Sequence, residues 1–427
     1  MKHLPTLIMI IFLGCSIFAN GQVITLSQCY QLARENYPQI HQYELILLSE
    51  QYRLNTIRKG WLPQLSIHGQ ANYQSDVTEL PFNRQDLSSL LPGSNVPTLS
   101  KDQYRMVIQL DQTIWDGGSK RTARALTKAE SKAQREQVES DLYTIRQRIN
   151  ELYFGCLLQE ELLKQNELLQ KDLQTNIKRI RSMMKNGTAN QSDVDAMQVE
   201  LLNAQQKAIE LKAGQKAFLH MLGAFVHREL NDSISLVLPE LPLSPKVSRI
   251  NRPELRVLEA QHEILQTKYQ QQNTRLIPQF SAFVQGGYGR PTLNMLSNDF
   301  EGFYVAGIRL SWNIGNFYTV KDIKKEIATN QKMIDRQKET FLFNTQLQLT
   351  KENTEIQKMK NLMNTDEEII RLRSNIKKAA EVKLENGVIA VTDLVREINA
   401  EDLARQKAAM HRIQHVMSCY NRLYTTN

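Results

Sequence analysis

The chain has little of what ends a helix. Its 427 residues hold 12 prolines and 18 glycines. Residues 119–185 contain no proline and only Gly155 among glycines, and residues 318–385 contain neither. That excludes a loop-rich chain and leaves room for very long helices. Cysteine is scarce too. Of four, Cys29, Cys156 and Cys419 lie far apart and in no paired spacing, which excludes a disulfide framework and a cysteine metal site. Buried free thiols are expected, with a Cys29–Cys419 bridge near the chain ends as the alternative. After the first 21 residues no apolar window of about 18 residues remains, so no transmembrane helix is expected. Any membrane crossing must then use β-strands in a closed barrel. The net charge of +8 is spread without a basic block, which argues against a nucleic-acid partner. What is present, 41% hydrophobic and 23% charged residues, is the composition of a folded, helix-rich protein.

Residues 1–21 read as a signal peptide: Lys2, an apolar run from Leu7 to Phe18, then Ala19-Asn20-Gly21 as a small-x-small cleavage site. Phe12-Leu13-Gly14-Cys15 offers lipidation at Cys15 as the competing reading. Both send the protein out of the cytoplasm.

The rest of the chain is duplicated. Asn386-Gly387-Val388-Ile389-Ala390-Val391-Thr392-Asp393 echoes Asn186-Gly187-Thr188-Ala189-Asn190-Gln191-Ser192-Asp193. In each copy a helical pattern runs to Asn-Gly, the chain turns, and a second helix starts. Gly187 and Gly387 fit the left-handed position past a helix end. Ser192 and Thr392 are expected as N-caps, with Asp193 and Asp393 at the positive dipole end. Each copy is therefore the tip of a helical hairpin. The echo extends upstream, where Pro38 and Pro253 each open a helical run, and Leu62-Pro63-Gln64 and Ile277-Pro278-Gln279 each end one.

Past those prolines the apolar period becomes two. Leu65, Ile67, Gly69, Ala71 and Tyr73 alternate with polar residues, and Met106, Ile108, Leu110 and Ile114 alternate with Arg105, Val107, Gln109, Asp111 and Thr113. In the second copy Phe280, Ala282 and Val284 alternate with Ser281, Phe283 and Gln285, and Tyr304, Ala306, Ile308, Leu310 and Trp312 with Gly307, Arg309, Ser311 and Asn313. Strands of about ten residues with one apolar face suit a membrane barrel, with Tyr73, Trp115, Tyr288 and Trp312 as interfacial aromatics. A soluble sheet with one wet face has the same alternation, but four strands leave two uncovered edges. Each strand pair exits into a long helix. Residues 119–185 would span about 100 Å at about 1.5 Å per residue, and Leu142, Ile145, Ile149, Leu173, Ile177 and Ile180 mark a coiled-coil seam. With no second layer expected in its own chain, such a hairpin must bury its seam against other copies.

The boundaries follow: a first repeat over 22–227 with a strand pair at 65–115 and a hairpin at 119–224; a proline-containing crossover linker at 228–250; and a second repeat over 251–427 with a helix at 253–275, a strand pair at 279–314 and a hairpin at 318–424.

The duplication, the two Leu/Ile-Pro-Gln joins and the Gly-x-x-x-x-[Ser/Thr]-Asp tips, twice in the same order, resemble the TolC-type outer-membrane efflux and export channels of Gram-negative bacteria. The resemblance covers nearly all of the mature chain. It implies a mainly α protein with a small β part: a homotrimer whose four strands per subunit make a twelve-stranded barrel, continuous with an α-helical barrel in the periplasm. It implies a passive duct working with a periplasmic adaptor protein and an inner-membrane transporter. The tips would dock the adaptor through Gly187, Thr188, Ala189, Gly387, Val388 and Ile389. Asp393 matches the family's acidic constriction, with Asp193 at the equivalent place in the first copy. The family's second carboxylate is replaced by Arg396, its gating cation by Ile389 and its gating tyrosine by Leu384. Helix capping accounts equally for Asp393 and Asp193.

No enzyme, cofactor or metal site is expected. His411 and His415 have a metal-capable spacing but no companion ligands, and a solvated helix face is the expected setting. Gly286-Gly287 follows a strand into a loop, which is the wrong context for a phosphate cradle. The reading from a different class is a periplasmic coiled-coil adaptor that never inserts, which would leave the four strands without a role.

Overall fold

The computed structural model describes residues 23–77, 99–231, 234–242, 250–295 and 297–427. The expected signal segment, Cys15 and most of the polar stretch 75–101 lie outside the described residues. In chain order the elements are β1 (Val23–Ile24), α1 (Leu26–Asn36), α2 (Gln42–Lys59), β2 (Gln64–Tyr73), β3 (Asp102–Trp115), α3 (Ser119–Lys185), α4 (Gln191–Val226), β4 (Ser235–Leu236), α5 (Pro253–Thr274), β5 (Gln279–Arg290), β6 (Glu301–Ser311), α6 (Asn316–Glu385) and α7 (Val391–Thr426). Among the described residues no helix is long and apolar enough to cross a membrane.

The chain divides into two units, each built from separated segments. One comprises residues up to Ile40, Asp141–Arg252 and Phe343–Asn427, and the other His41–Ser140 and Pro253–Leu342.

The second unit holds an antiparallel sheet in the order β2-β3-β5-β6. Its strands have 10, 14, 12 and 11 residues, against the roughly 9–11 needed for a tilted bilayer crossing. The register gathers apolar side chains into rows on one face: Leu65, Leu110, Val284 and Ala306, then Ile67, Ile108, Gly286 and Tyr304. The opposite face carries Ser66, Gln109, Gln285 and Val305 in one row. The apolar face is bare, with Ile67 60%, Ile108 49% and Tyr304 81% exposed. Among the described residues the outer edges of β2 and β6 have no strand partner.

The alternation reads further than the strand does in the second copy. β6 stops at Ser311. Trp312 lies beyond it, donating its indole N–H to Leu276 O at 3.1 Å. At the first strand-to-helix join, Asp116 accepts from the backbone N–H of Gly118 at 2.9 Å and of Lys120 at 2.7 Å. The chain turns there through Gly117 at φ 65° and Gly118 at φ 86°, where a side chain on Gly117 would also press on Ile277.

The first unit holds both hairpin ends. Gly155 lets α4 approach α3, because Phe218 rests its ring where a Cβ would be, at 3.0 Å. One feature has no signature in the sequence. The linker after α4 is not free connection: its β4 pairs in parallel with β1. The buried Tyr153 hydroxyl ties the two strands, 3.0 Å from Ile24 O and 2.7 Å from Val237 O. Two residues per strand are too few for periodicity to reveal.

Cys29, Cys156 and Cys419 are all free, the first two buried. Burial pushes the Cys29 and Cys156 thiols up to about 12, so neither forms thiolate near neutrality. Maleimide labelling of the native protein at about pH 7 should therefore leave both unmodified and reach them only on denaturation. Rapid native labelling of either would contradict this packing.

Candidate functional site

The two hairpin tips close in the same way. In the first, Gly187 N–H bonds Met184 O at 3.1 Å and Thr188 N–H bonds Met183 O at 3.0 Å. In the second, Gly387 N–H bonds Leu384 O and Val388 N–H bonds Lys383 O, both at 2.9 Å. This nested pair satisfies the last helix carbonyls and requires a left-handed residue between them. Gly187 and Gly387 supply it at φ 75° and 69°. Neither has an atom within 4 Å of a would-be Cβ, so backbone conformation alone demands glycine there.

Ser192 and Thr392 are not the caps. Asn190 caps α4: its side chain accepts from Asp193 N–H at 3.0 Å, and the Asp193 carboxylate accepts from Asn190 N–H at 3.0 Å. In the second tip Ala390 holds the cap position, with no side chain to accept, and only Asp393 reaches back, at 3.3 Å. The helices start earlier than the Ser/Thr preference indicated because Asx geometry at 190 outcompetes the hydroxyl, and 390 copies its backbone.

Just inside the tips the hairpins bury one shared core. Leu173, Ile177, Ile180, Val194, Met197 and Leu201 from the first meet Ala380, Leu384, Val391, Leu394 and Ile398 from the second. This corrects the expectation that a hairpin finds no second layer in its own chain. The repeat supplies one.

Above that core the contact is ionic. Lys377 Nζ lies 2.7 Å from both Asp172 on α3 and Glu401 on α7, and Arg405 bonds Glu401 at 2.6 Å. Arg179 on α3 reaches Glu385 on α6 at 3.2 Å. Lys377 and Glu401 are 15% and 6% exposed. Burial pulls the Lys377 pKa down, but hydrogen bonds to Asp172 and Glu401 and their charges outweigh it, and the net shift is upward. Burial works to raise the Glu401 carboxyl, but Lys377 and Arg405 hold it below its usual range. Asp172, Lys377, Glu401, Arg405 and Leu168 line a cavity of about 330 Å³. No motif in the sequence pairs them.

Asp402 lines the same cavity. Its carboxyl is pushed up to about 6 from 3.8, first by burial, with Gln406 and Arg405 opposing and Glu401 adding. A raised carboxyl binds its proton more tightly folded than unfolded. Its contribution to stability is therefore full below 3.8 and lost as pH rises through about 6. Asp402→Asn should gain stability relative to wild type progressively between about pH 4 and about pH 7, read as melting midpoints in detergent. A gain of equal size across that range would count against a buried ionising group.

The residues expected to line a constriction or dock a partner fall at the tips, with different surroundings. Gly187, Thr188, Gly387 and Val388 are exposed, whereas Ala189 and Ile389 turn partly onto the shared core. Leu384, at the family's tyrosine position, is 3% exposed within that core. Arg396 bridges two carboxylates, Asp393 at 3.5 Å and Glu397 at 3.3 Å. Asp393 therefore caps its helix and pairs with Arg396 at once. The histidines are not on a solvated face: His411 Nδ1 lies 2.9 Å from Asp366 on α6, both largely buried. Burial, helped by Lys360, lowers the His415 pKa. Among the described residues no His/Cys/Asp/Glu group has metal-binding geometry.

Comparison with known proteins agrees with this architecture. Residues 29–222 match the family model of the outer membrane efflux protein. The fold is similar to that of the outer-membrane channel OprN (TM-score 0.70, 12% identity, covering 94% of this chain and 90% of that one). It is also similar to the outer membrane protein VceC from Vibrio cholerae (TM-score 0.66, 12% identity, 93% and 95%). A further match is the open state of the MtrE channel of Neisseria gonorrhoeae (TM-score 0.65, 13% identity, 94% and 88%). No curated protein sequence matches. Residues 29–222 are thus similar to the outer membrane efflux protein family, and the fold over nearly the whole chain is that of the solved outer-membrane channels.

Proposed function

We propose that three copies close into a passive exit duct through the outer membrane and periplasm, joined at the hairpin tips to a periplasmic adaptor and, through it, to an energy-supplying inner-membrane transporter. The observation that carries this reading is the sheet, antiparallel, apolar and bare on one face, and open at both edges among the described residues. In lipid every strand edge must find a partner. An even number of strands lets the β6 edge of one copy meet the β2 edge of the next in the antiparallel sense, and identical copies repeat the join until the ring closes. The helices support the same arrangement. Leu362, Ile369, Leu372 and Ile376 on α6 remain 37–47% exposed after the intrachain core has formed, as do Val199, Leu202 and Ile209 on α4 at 50–69%.

At the mouth each copy would contribute Asp393, Asp193, Arg396 and the Arg373–Glu397 pair, a net single negative charge. The mouth is then weakly cation-favouring, because Arg396 offsets one carboxylate. The exposed Gly387 and Val388, with Gly187 and Thr188, would be where an adaptor hairpin meets the tip. The cargo of such a duct is a small molecule or an exported polypeptide.

The test is the full chain purified in non-ionic detergent and then placed in planar bilayers. The expected results are a trimeric mass, discrete single-channel steps, and lower cation selectivity in Asp393→Asn. A monomer that high salt alone washes from membranes would return the chain to the adaptor reading. Unchanged selectivity in Asp393→Asn would remove the acidic mouth.

A further inference from the structure

No basic block runs along the chain, but folding assembles one. Four helix ends meet the strands beneath the sheet: the last turns of α2 and α5 and the first turns of α3 and α6. They are tied to one another. A Cβ on Gly60 would lie 3.1 Å from Lys120 Cε, and one on Gly117 would lie 3.0 Å from Ile277. The Asn316 amide donates to Arg275 O at 2.9 Å, and Lys324 Nζ donates to Asn273 Oδ1 at 2.6 Å. Residues 51–60, 119–128, 266–275 and 316–325 therefore form one layer. It holds twelve of the chain's 53 Lys and Arg but one of its 45 Asp and Glu, Asp322, so the remainder of the chain carries 41 cations against 44 acids. Charging the layer also with the acids at its margins, Glu50, Asp116, Glu130 and Glu326, still leaves it at +7. Helix dipoles account for Arg58, Lys59 and Arg275, which lie at C-terminal ends. They oppose Lys120 and Arg121 in the first turn of α3, and neither α3 nor α6 has an acid in its first turn.

We propose that this layer is a docking surface for anionic phospholipid headgroups in the leaflet on the helix side of the membrane. The proposal rests on the membrane-spanning barrel proposed above. All three tryptophans of the chain, Trp61, Trp115 and Trp312, border the layer at 42–49% exposure. They also place it beneath the apolar face of the sheet. Trp115 stands opposite Phe280 at the foot of that face. Gln112, in register with Ala282 on the same face, donates to Trp61 O at 2.9 Å. Lys120 Nζ lies 4.1 Å from the centre of the Trp61 ring, and Arg124 and Lys128 continue its stripe at steps of four. On α6 the exposed Tyr318, Lys321 and Lys325 share a stripe in the same way. Exposed aromatic rings beside a bare apolar sheet mark the level where acyl chains give way to headgroups. Cations just past that level stand in the plane of the lipid phosphates, where an anionic surface attracts Lys and Arg. A layer serving only a soluble anion has no need of exposed indoles along its border.

The tryptophans serve as the reporters. The full chain is reconstituted into phosphatidylcholine vesicles containing about 10 mol% of either dibrominated phosphatidylglycerol or dibrominated phosphatidylcholine, and quenching of tryptophan fluorescence is read. At low salt the brominated phosphatidylglycerol should quench as though present at about three times its bulk fraction or more, and about 0.5 M NaCl should remove most of that excess. Lys120→Gln with Arg124→Gln and Lys321→Gln should cut the excess by about half or more, while quenching by brominated phosphatidylcholine stays the same. Equal quenching by the two lipids at low salt overturns the proposal without recourse to any variant. An excess that survives both high salt and the triple substitution overturns it as well. So does an excess abolished by about 10 mM inorganic phosphate at constant ionic strength, which would assign the layer to a soluble anion. The barrel is tested separately in the same samples: no quenching by either lipid removes the membrane span and this surface with it, whereas equal quenching keeps the span and removes the surface alone.

Discussion

Ile108→Arg should abolish recovery of the protein from the outer membrane, while Gln109→Arg, one residue along, should leave it nearly intact. Both positions lie on β3 within the sheet. Ile108 stands in the bare apolar row between Ile67 and Gly286, and Gln109 in the polar row between Ser66 and Gln285. An arginine at a lipid-facing position near the bilayer midplane costs about 2–4 kcal/mol. Three copies bring the penalty to roughly 6–12 kcal/mol per ring, as large as the whole stability of many proteins. Facing water, the same side chain costs little. The adjacent pair controls for the introduced arginine itself, since both variants gain the same residue one position apart on the same strand. Outer-membrane fractionation and the yield of detergent-extracted oligomer are the readouts. Equal recovery of the two variants would refute a lipid-facing row.

Lys377→Met should loosen the two hairpins from one another. Among the described residues the ammonium is the only cation within 2.7 Å of both Asp172 and Glu401, and it stays charged because those carboxylates outweigh its burial. Methionine keeps the volume and removes the charge, leaving a nearly buried Glu401 with Arg405 as its remaining close partner. Breaking a buried ion pair from one side costs about 3–5 kcal/mol, and the partial access here favours the lower end. About 3 kcal/mol is more than a hundredfold in local opening. Amide hydrogen exchange along residues 169–180 and 377–401 should accelerate by that order. Adding Glu401→Gln should recover part of the loss, because the stranded carboxylate is then gone. The network should also weaken in acid. Glu401 has a lowered pKa, so its contribution holds above its unfolded value and fades as pH falls below it. Unchanged exchange in Lys377→Met would mean that the apolar core alone holds the hairpins together.

Much of the architecture is local and so was legible along the chain. Period-two alternation found the strands because side chains at every second residue share a face. The absence of breakers matched the extents of α3 and α6 because helix propagation needs only the next residue. Asn-Gly marked the tips because positive φ selects glycine whatever surrounds it. The caps were misplaced where two short polar side chains competed within three residues. The histidines were misread because a residue's exposure depends on which helix is brought opposite it.

The sequence by itself determined the duplicated hairpins, the alternating strands and the left-handed glycines at the tips. Each of these follows from backbone sterics and periodicity over a few residues. Tertiary structure decided that the two hairpins are each other's second layer, that Lys377 is shared by Asp172 and Glu401, and that β4 anchors the linker to β1. Those pairings join residues far apart in the chain, where no period or spacing relates them, and only burial and charge in the folded molecule select the partner.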